Sequence, residues 1–184
     1  MALLSVAALA ANGIFAQNVS RASSFERMMK FCVLQPPYAL DPANVGESVQ
    51  WELDALAKCD ASLDVIVLPE ASDRQARVRT RDESIAAGRK YGETLLAACA
   101  ATAKRCNAVV FANAYDFSHG DNPRNTTFAF DRKGSLVGRY DKRHLTFGEW
   151  NKWNYDASYM WEWSAPEIVE IDGVRYAFMT CYDF

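Results

Sequence analysis

An apolar run with no polar break, Val65-Ile66-Val67-Leu68, stands between Asp64 and Pro69. A strand that alternates apolar with polar residues has one wet face, whereas an unbroken apolar strand is buried on both and belongs inside a parallel sheet covered by helices. Proline cannot extend the ladder, so the strand stops at Pro69 and hands the chain to Glu70. The flanking segments fit such a sheet. Lys30 to Gln35 contains Phe31-Cys32-Val33-Leu34 and ends at Pro36-Pro37, which predicts a first strand, and Ala108 to Ala112 predicts a third buried one. From Asn44 to Cys59 the apolar positions Val45, Val49, Leu53 and Leu56 recur at helical spacing, with Asn44 as cap and Glu47 three residues on. A second helix is expected over 82–105. Strand, helix, strand, helix, strand is the order of βαβ units, so the fold class is α/β.

The second half differs. Thr126 to Phe130 and Leu136 to Tyr140 predict short strands joined by Asp131-Arg-Lys-Gly134, and Glu167–Ile171 with Val174–Thr180 predict a hairpin around Asp172-Gly173, a type I′ turn signal. The run Tyr176 to Thr180 reads as a buried strand that delivers Cys181 at its carboxyl end. Crevices beyond the carboxyl ends of strands are where open α/β sheets place their chemistry.

Half of the 184 residues are hydrophobic and 23% are charged, enough apolar surface for a sizeable core. A net charge of −3 offers no basic face and argues against nucleic acid. The five cysteines, at 32, 59, 99, 106 and 181, form no C-x-x-C pair, so no zinc site is expected; Cys59, Cys99 and Cys106 read as buried free thiols of a reducing compartment. Residues 1–28 read as an N-terminal extension before a domain over 29–184. Its apolar part, Ala2 to Ala16, is too short to span a bilayer. It resembles a signal core without preceding basic residues, and Arg21, Ser23, Ser24 and Arg27 resemble a transit peptide. A cytoplasmic location is expected, or an organellar or secreted one if that segment is a targeting signal, in which case Asn18 and Asn125 match the glycosylation pattern.

Three residues could carry chemistry. Glu70 follows a fully apolar strand, where partial desolvation would favour a general base, although a solvated loop glutamate is the plainer reading. Lys142 lies in a basic cluster with Arg139, Arg143 and His144 whose default is a solvated turn; a fixed cation would also stabilise an oxyanion. Cys181 is either an inert core thiol or a nucleophile, and His144 is a second candidate for its base. Four of the five tryptophans, 150, 153, 161 and 163, fall in one aromatic segment that could pack the core, line a pocket or face another subunit.

Taken together, Val-Ile-Val-Leu-Pro-Glu70-Ala-Ser, Arg124-Asn-Thr, Gly138-Arg-Tyr-Asp-Lys142-Arg-His-Leu and Met-Thr-Cys181-Tyr-Asp resemble the motifs of the nitrilase, or carbon–nitrogen hydrolase, superfamily. The resemblance covers residues 29–184 and implies an α-β-β-α sandwich with a Glu70–Lys142–Cys181 triad. It implies that Cys181 attacks an amide, carbamoyl or nitrile carbon to form a thioester, that Glu70 moves the protons, and that Lys142 with the backbone N–H of Tyr182 holds the oxyanion. Glu149, seven residues after Lys142, matches a second glutamate that positions substrate or lysine.

Cys-Tyr-Asp and Lys-Arg-His-Leu resemble the amidase branches, which favours a small amide or carbamoyl substrate over a nitrile. No metal or organic cofactor is implied, and full-length relatives are expected to be homo-oligomers. The chain ends at Phe184, short of the strands, helices and arginine by which the family completes its sandwich and pocket. Weak or absent turnover is therefore expected of it. A non-catalytic binding module and a thioester-forming acyltransferase stay open beside the hydrolase.

Overall fold

Five strands share one sheet in their order along the chain: β1 (Phe31–Val33), β2 (Val65–Val67), β3 (Val109–Asp116), β4 (Arg124–Phe130) and β5 (Leu136–Asp141). β1, β2 and β3 run parallel, and β3, β4 and β5 form an antiparallel meander. The parallel half needs long crossovers. They are α1 (Val45–Lys58) between β1 and β2, and α2 (Arg81–Cys106) between β2 and β3. The computed structural model describes residues 28–77, 80–162 and 167–183. Apart from Met28, the expected extension, with Asn18, lies outside the described residues, as do Trp163 and Phe184.

Successive strand residues point to opposite faces, and the buried runs of β2 and β3 use both. Ile66, Val110, Ala112, Phe128 and Phe130 meet Leu56 of α1 and Leu95, Cys99 and Ala103 of α2. Val65, Val109, Phe111 and Ala129 face the other way, onto Val169 and Ile171 of a separate hairpin, β6 (Ile168–Ile171) with β7 (Val174–Ala177). Three layers result among the described residues: helices, sheet and hairpin. The hairpin sits close, since a Cβ on Gly138 of β5 would lie 2.4 Å from Val169 Cγ2. Its turn is the expected one, with Asp172 and Gly173 at φ 53° and 75°.

Helix ends follow side-chain chemistry. Thr80 and Glu83 form a reciprocal capping box at the start of α2, worth on the order of 1 kcal/mol. Asn44 occupies the expected cap position of α1 but makes no side-chain cap bond. Asp41, three residues earlier, accepts from Ala43 N–H at the start of a short 3-10 turn that leads into the helix. At the other end of α1, Arg105 of α2 donates to the carbonyls of Leu56 and Cys59 at 2.8 and 2.6 Å, placing a cation where the helix dipole is negative. Cys59, Cys99 and Cys106 are buried free thiols, as expected.

One expectation needs correction. β7 is not a buried strand reaching Cys181: it stops at Ala177 with alternate residues exposed, because only one face of the hairpin meets the sheet. Cys181 instead opens a 3-10 turn, Cys181–Asp183. Of the three readings open for the aromatic segment, core packing holds for part of it. Trp153 packs beside Tyr115, Leu145 and Tyr155, but Trp150 and Trp161 are exposed.

Candidate active site

β2 and β5 end, and β4 begins, at the same edge of the sheet, which brings Glu70, Asn125 and Lys142 together. Glu70 lies just past β2. Its loop is fixed by Ala71 in the left-handed region at φ 62°, by Ala71 N–H donating to Asn113 Oδ1 at 2.8 Å, and by Gln75 donating to the Glu70 carbonyl. Lys142 follows β5, anchored through its own backbone: its N–H donates to Asn125 O at 2.8 Å, and its carbonyl accepts from Tyr159 Oη at 2.8 Å.

Lys142 is not the solvated turn residue that its basic neighbours suggested. It is 1% exposed, and its ammonium donates to Glu70 Oε1 at 2.9 Å and to Glu149 Oε1 and Oε2 at 3.0 and 2.9 Å. Burial opposes the charged form, but the hydrogen bonds and charges of the two glutamates outweigh it and hold the lysine pKa above its ordinary value. Arg143, the next residue, turns away toward the carbonyls of Tyr159 and Glu162. Glu149 is held by a reciprocal pair of bonds, Thr146 N–H to its Oε2 at 2.8 Å and its own N–H to Thr146 Oγ1 at 3.2 Å. Asn125 completes the cluster, donating to Glu70 Oε1 at 2.7 Å and Glu149 Oε1 at 3.1 Å.

Cys181 reaches this cluster from the hairpin. Phe178 lies edge-on to Phe111 at 5.1 Å and stacks on Tyr140 at 5.8 Å, which fixes the chain three residues before the thiol. Beyond it, Asp183 accepts from Thr180 N–H at 2.8 Å, Tyr140 Oη at 2.7 Å and His144 N–H at 2.8 Å. The turn is thereby clamped to the segment that carries Lys142. Cys181 itself adopts φ 50°. Desolvation, the charges of Glu70 and Glu149 and a hydrogen bond with Glu70 push the thiol pKa up, and Lys142 pulls it back. Cys181 is itself exposed, and Glu70 is the carboxylate that weighs most on its proton. His144 is instead engaged by Asp183, with Nδ1 at 3.2 Å, and is mostly exposed. The backbone N–H of Tyr182 follows the thiol in the same turn.

Sequence reasoning brought together Glu70, Lys142, Cys181 and Glu149; hydrogen bonds join Glu70, Lys142 and Glu149, and Cys181 lies near enough to feel their charges. That reasoning missed Asp183, Thr146 and Asn113, and gave Asn125 no role of its own. The polar run Arg124-Asn125-Thr126-Thr127 that opens β4, ahead of the apolar Phe128-Ala129-Phe130, was the available signal. No group of three or more His, Cys, Asp or Glu side chains among the described residues is placed to hold a metal ion. No described helix is long and apolar enough to cross a membrane.

Comparison with known proteins bears on the fold and the family. No curated protein matches the chain in sequence. A carbon–nitrogen hydrolase from Helicobacter pylori G27 superposes with a TM-score of 0.61 at 19% identity, over 84% of this chain and 52% of that one. An amidase from Nesterenkonia sp. AN1 carrying acrylamide on its active-site cysteine superposes at 0.60, with 13% identity over 84% and 58%. A variant of the same amidase in complex with butyramide gives 0.60 and 15% over 84% and 56%. The chain thus spans a little over half the length of these structures. The family model for carbon–nitrogen hydrolases matches residues 7–184, and the chain belongs to that family.

Proposed function

We propose that Cys181 is the nucleophile of an amide-hydrolysing site, with Glu70 as its base and Lys142 as its electrophilic partner. The observation that carries this reading is the buried Lys142 ammonium, shared by Glu70 and Glu149 at 2.9–3.0 Å beside the Cys181 thiol. Glu70 takes the thiol proton as sulfur attacks the amide carbon. The carbonyl oxygen gains negative charge between the Lys142 ammonium and the N–H of Tyr182, where fixed donors lower the barrier. Collapse of the tetrahedral adduct breaks the carbon–nitrogen bond, and the proton on Glu70 passes to the leaving nitrogen. The amine departs and a thioester remains. Water, deprotonated by Glu70, then attacks the thioester, releasing a carboxylic acid and restoring the thiol.

Glu149 keeps Lys142 in place through both its oxygens. Short, uncharged amides are the substrate class to try first, because the Nesterenkonia amidase is seen with butyramide and acrylamide. Mass spectrometry after incubation with butyramide tests the reading. A butyryl adduct on Cys181, absent from Cys181→Ala and from Glu70→Gln, is the expected result. A folded chain with no adduct would favour a non-catalytic binding role, and transfer of the acyl group to an added amine in preference to water would favour an acyltransferase.

A further inference from the structure

Asn125 lies on β4, is 1% exposed, and spends both hydrogens of its amide on Glu70 Oε1 and Glu149 Oε1. An asparagine turned by half a rotation has the same shape but would present its carbonyl oxygen to two carboxylates. The neighbouring strand prevents that. Ala71 N–H donates to Asn113 Oδ1 at 2.8 Å, which settles the orientation of Asn113. The Asn113 amide nitrogen then donates to Asn125 Oδ1 at 2.7 Å and Thr127 Oγ1 at 3.2 Å. A backbone N–H has only one polarity, so each amide in the series is oriented by the one before it. The series starts at the residue after Glu70 and ends on the Glu70 carboxylate.

We propose that Asn125 is a positioning residue, oriented by Asn113, that holds Glu70 and Glu149 side by side on Lys142 with Glu70 free to take the Cys181 proton. The proposal rests on the reading of Glu70 and Cys181 as base and nucleophile. Two carboxylates facing one ammonium leave an excess of negative charge. A further cation would offset it, but a cation on Glu70 would also weaken it as a base. A neutral amide supplies two donors and adds no charge. The charged and titratable groups shown against Glu70 are the Lys142 ammonium, which it shares with Glu149, and the Cys181 thiol.

The test follows Cys181 alkylation by iodoacetamide across pH, read at that residue by mass spectrometry, so it reports whether or not the chain turns over amide. Asn125→Asp keeps the shape and replaces a donor by an acid; the rise of alkylation with pH should move up by about one pH unit as negative charge is added beside the thiol. In turnover of butyramide, Asn125→Leu should lower kcat by about tenfold to a hundredfold with KM little changed, and Asn113→Ala should reproduce part of that loss. Should Asn125→Leu fail to fold, the isosteric Asn125→Asp decides. An alkylation profile for Asn125→Asp that overlays the wild type overturns the proposal. Glu70→Gln is the control: if it too leaves the profile unchanged, the assignment of base and nucleophile falls, and if it alone shifts the profile, only the role of Asn125 falls.

Discussion

Glu52, on α1, and Glu70, in the loop after β2, are two carboxylates that their surroundings treat differently. Glu70 meets the Lys142 ammonium and the Asn125 amide at the sheet edge. Glu52, on α1 among the helices, is fully buried and neither of its oxygens has a hydrogen-bond partner. Ser72 lies beside it, but its hydroxyl donates to the Pro69 carbonyl at 2.8 Å. Desolvation, reinforced by the charge of Asp73, pushes the Glu52 pKa from 4.5 up to about 8. The lesson is that exposure and partners act together, since Glu52 is fully buried while the Glu70 side chain is 31% exposed. Where a cation and an amide are built to meet it, a carboxylate can keep its charge; where neither is supplied, a proton does the neutralising.

The comparison breaks most visibly at Lys142. Lys142→Met keeps the length of the side chain and leaves Glu70 and Glu149 facing each other without a cation, which should cost about 3–5 kcal/mol in urea unfolding. A loss below about 1 kcal/mol would mean that the cluster is solvated like an exposed pair. Glu52→Gln tests the other side. Between pH 4.5 and about 8 the folded chain holds a proton on Glu52 that the unfolded chain has released, so stability falls as pH rises through this window and levels off above it. Replacement by glutamine should flatten that fall, leaving the variant more stable than wild type at pH 8.5 by on the order of 3 kcal/mol. Parallel stability–pH curves for the two proteins would contradict the assignment.

A third interior carboxylate sharpens the contrast. Asp183, 3% exposed, is satisfied by N–H and O–H donors from three residues. Asp183→Asn retains one acceptor oxygen, and thermal unfolding should show a loss of about 1–2 kcal/mol. The smallest effect is expected at Thr146, where Thr146→Val removes only the acceptor for Glu149 N–H and should cost about 0.5–1 kcal/mol.

What could be read from the sequence was what local pattern controls. The unbroken run before Pro69, the helical spacing of Val45, Val49, Leu53 and Leu56, and the Asp172-Gly173 turn each determine their own geometry, and the structure has them all. The burial of Lys142 was not legible. Four basic residues within 139–144 look alike in sequence, and only the partners Glu70 and Glu149 separate Lys142 from Arg143. The Asn113–Asn125 relay was hidden for the same reason, since its meaning depends on Ala71, 42 residues from Asn113 in the chain. The continuity of Tyr176 to Thr180 misled because a hairpin with one dry face can still carry apolar residues on its wet one, as exposed Ala177 does, and because the strand ends there.

The left-handed backbone at Cys181 sets the proposed chemistry against durability. A non-glycine residue at φ 50° sits in a region that costs of order 1 kcal/mol or more, and glycine occupies it freely. Selecting variants of this chain for heat resistance alone would therefore reward Cys181→Gly, a change that removes the thiol. A laboratory evolution experiment that monitors folding without monitoring acylation would drift toward better-behaved protein with an empty site, and the persistence of cysteine at this elbow measures how strongly function is being demanded.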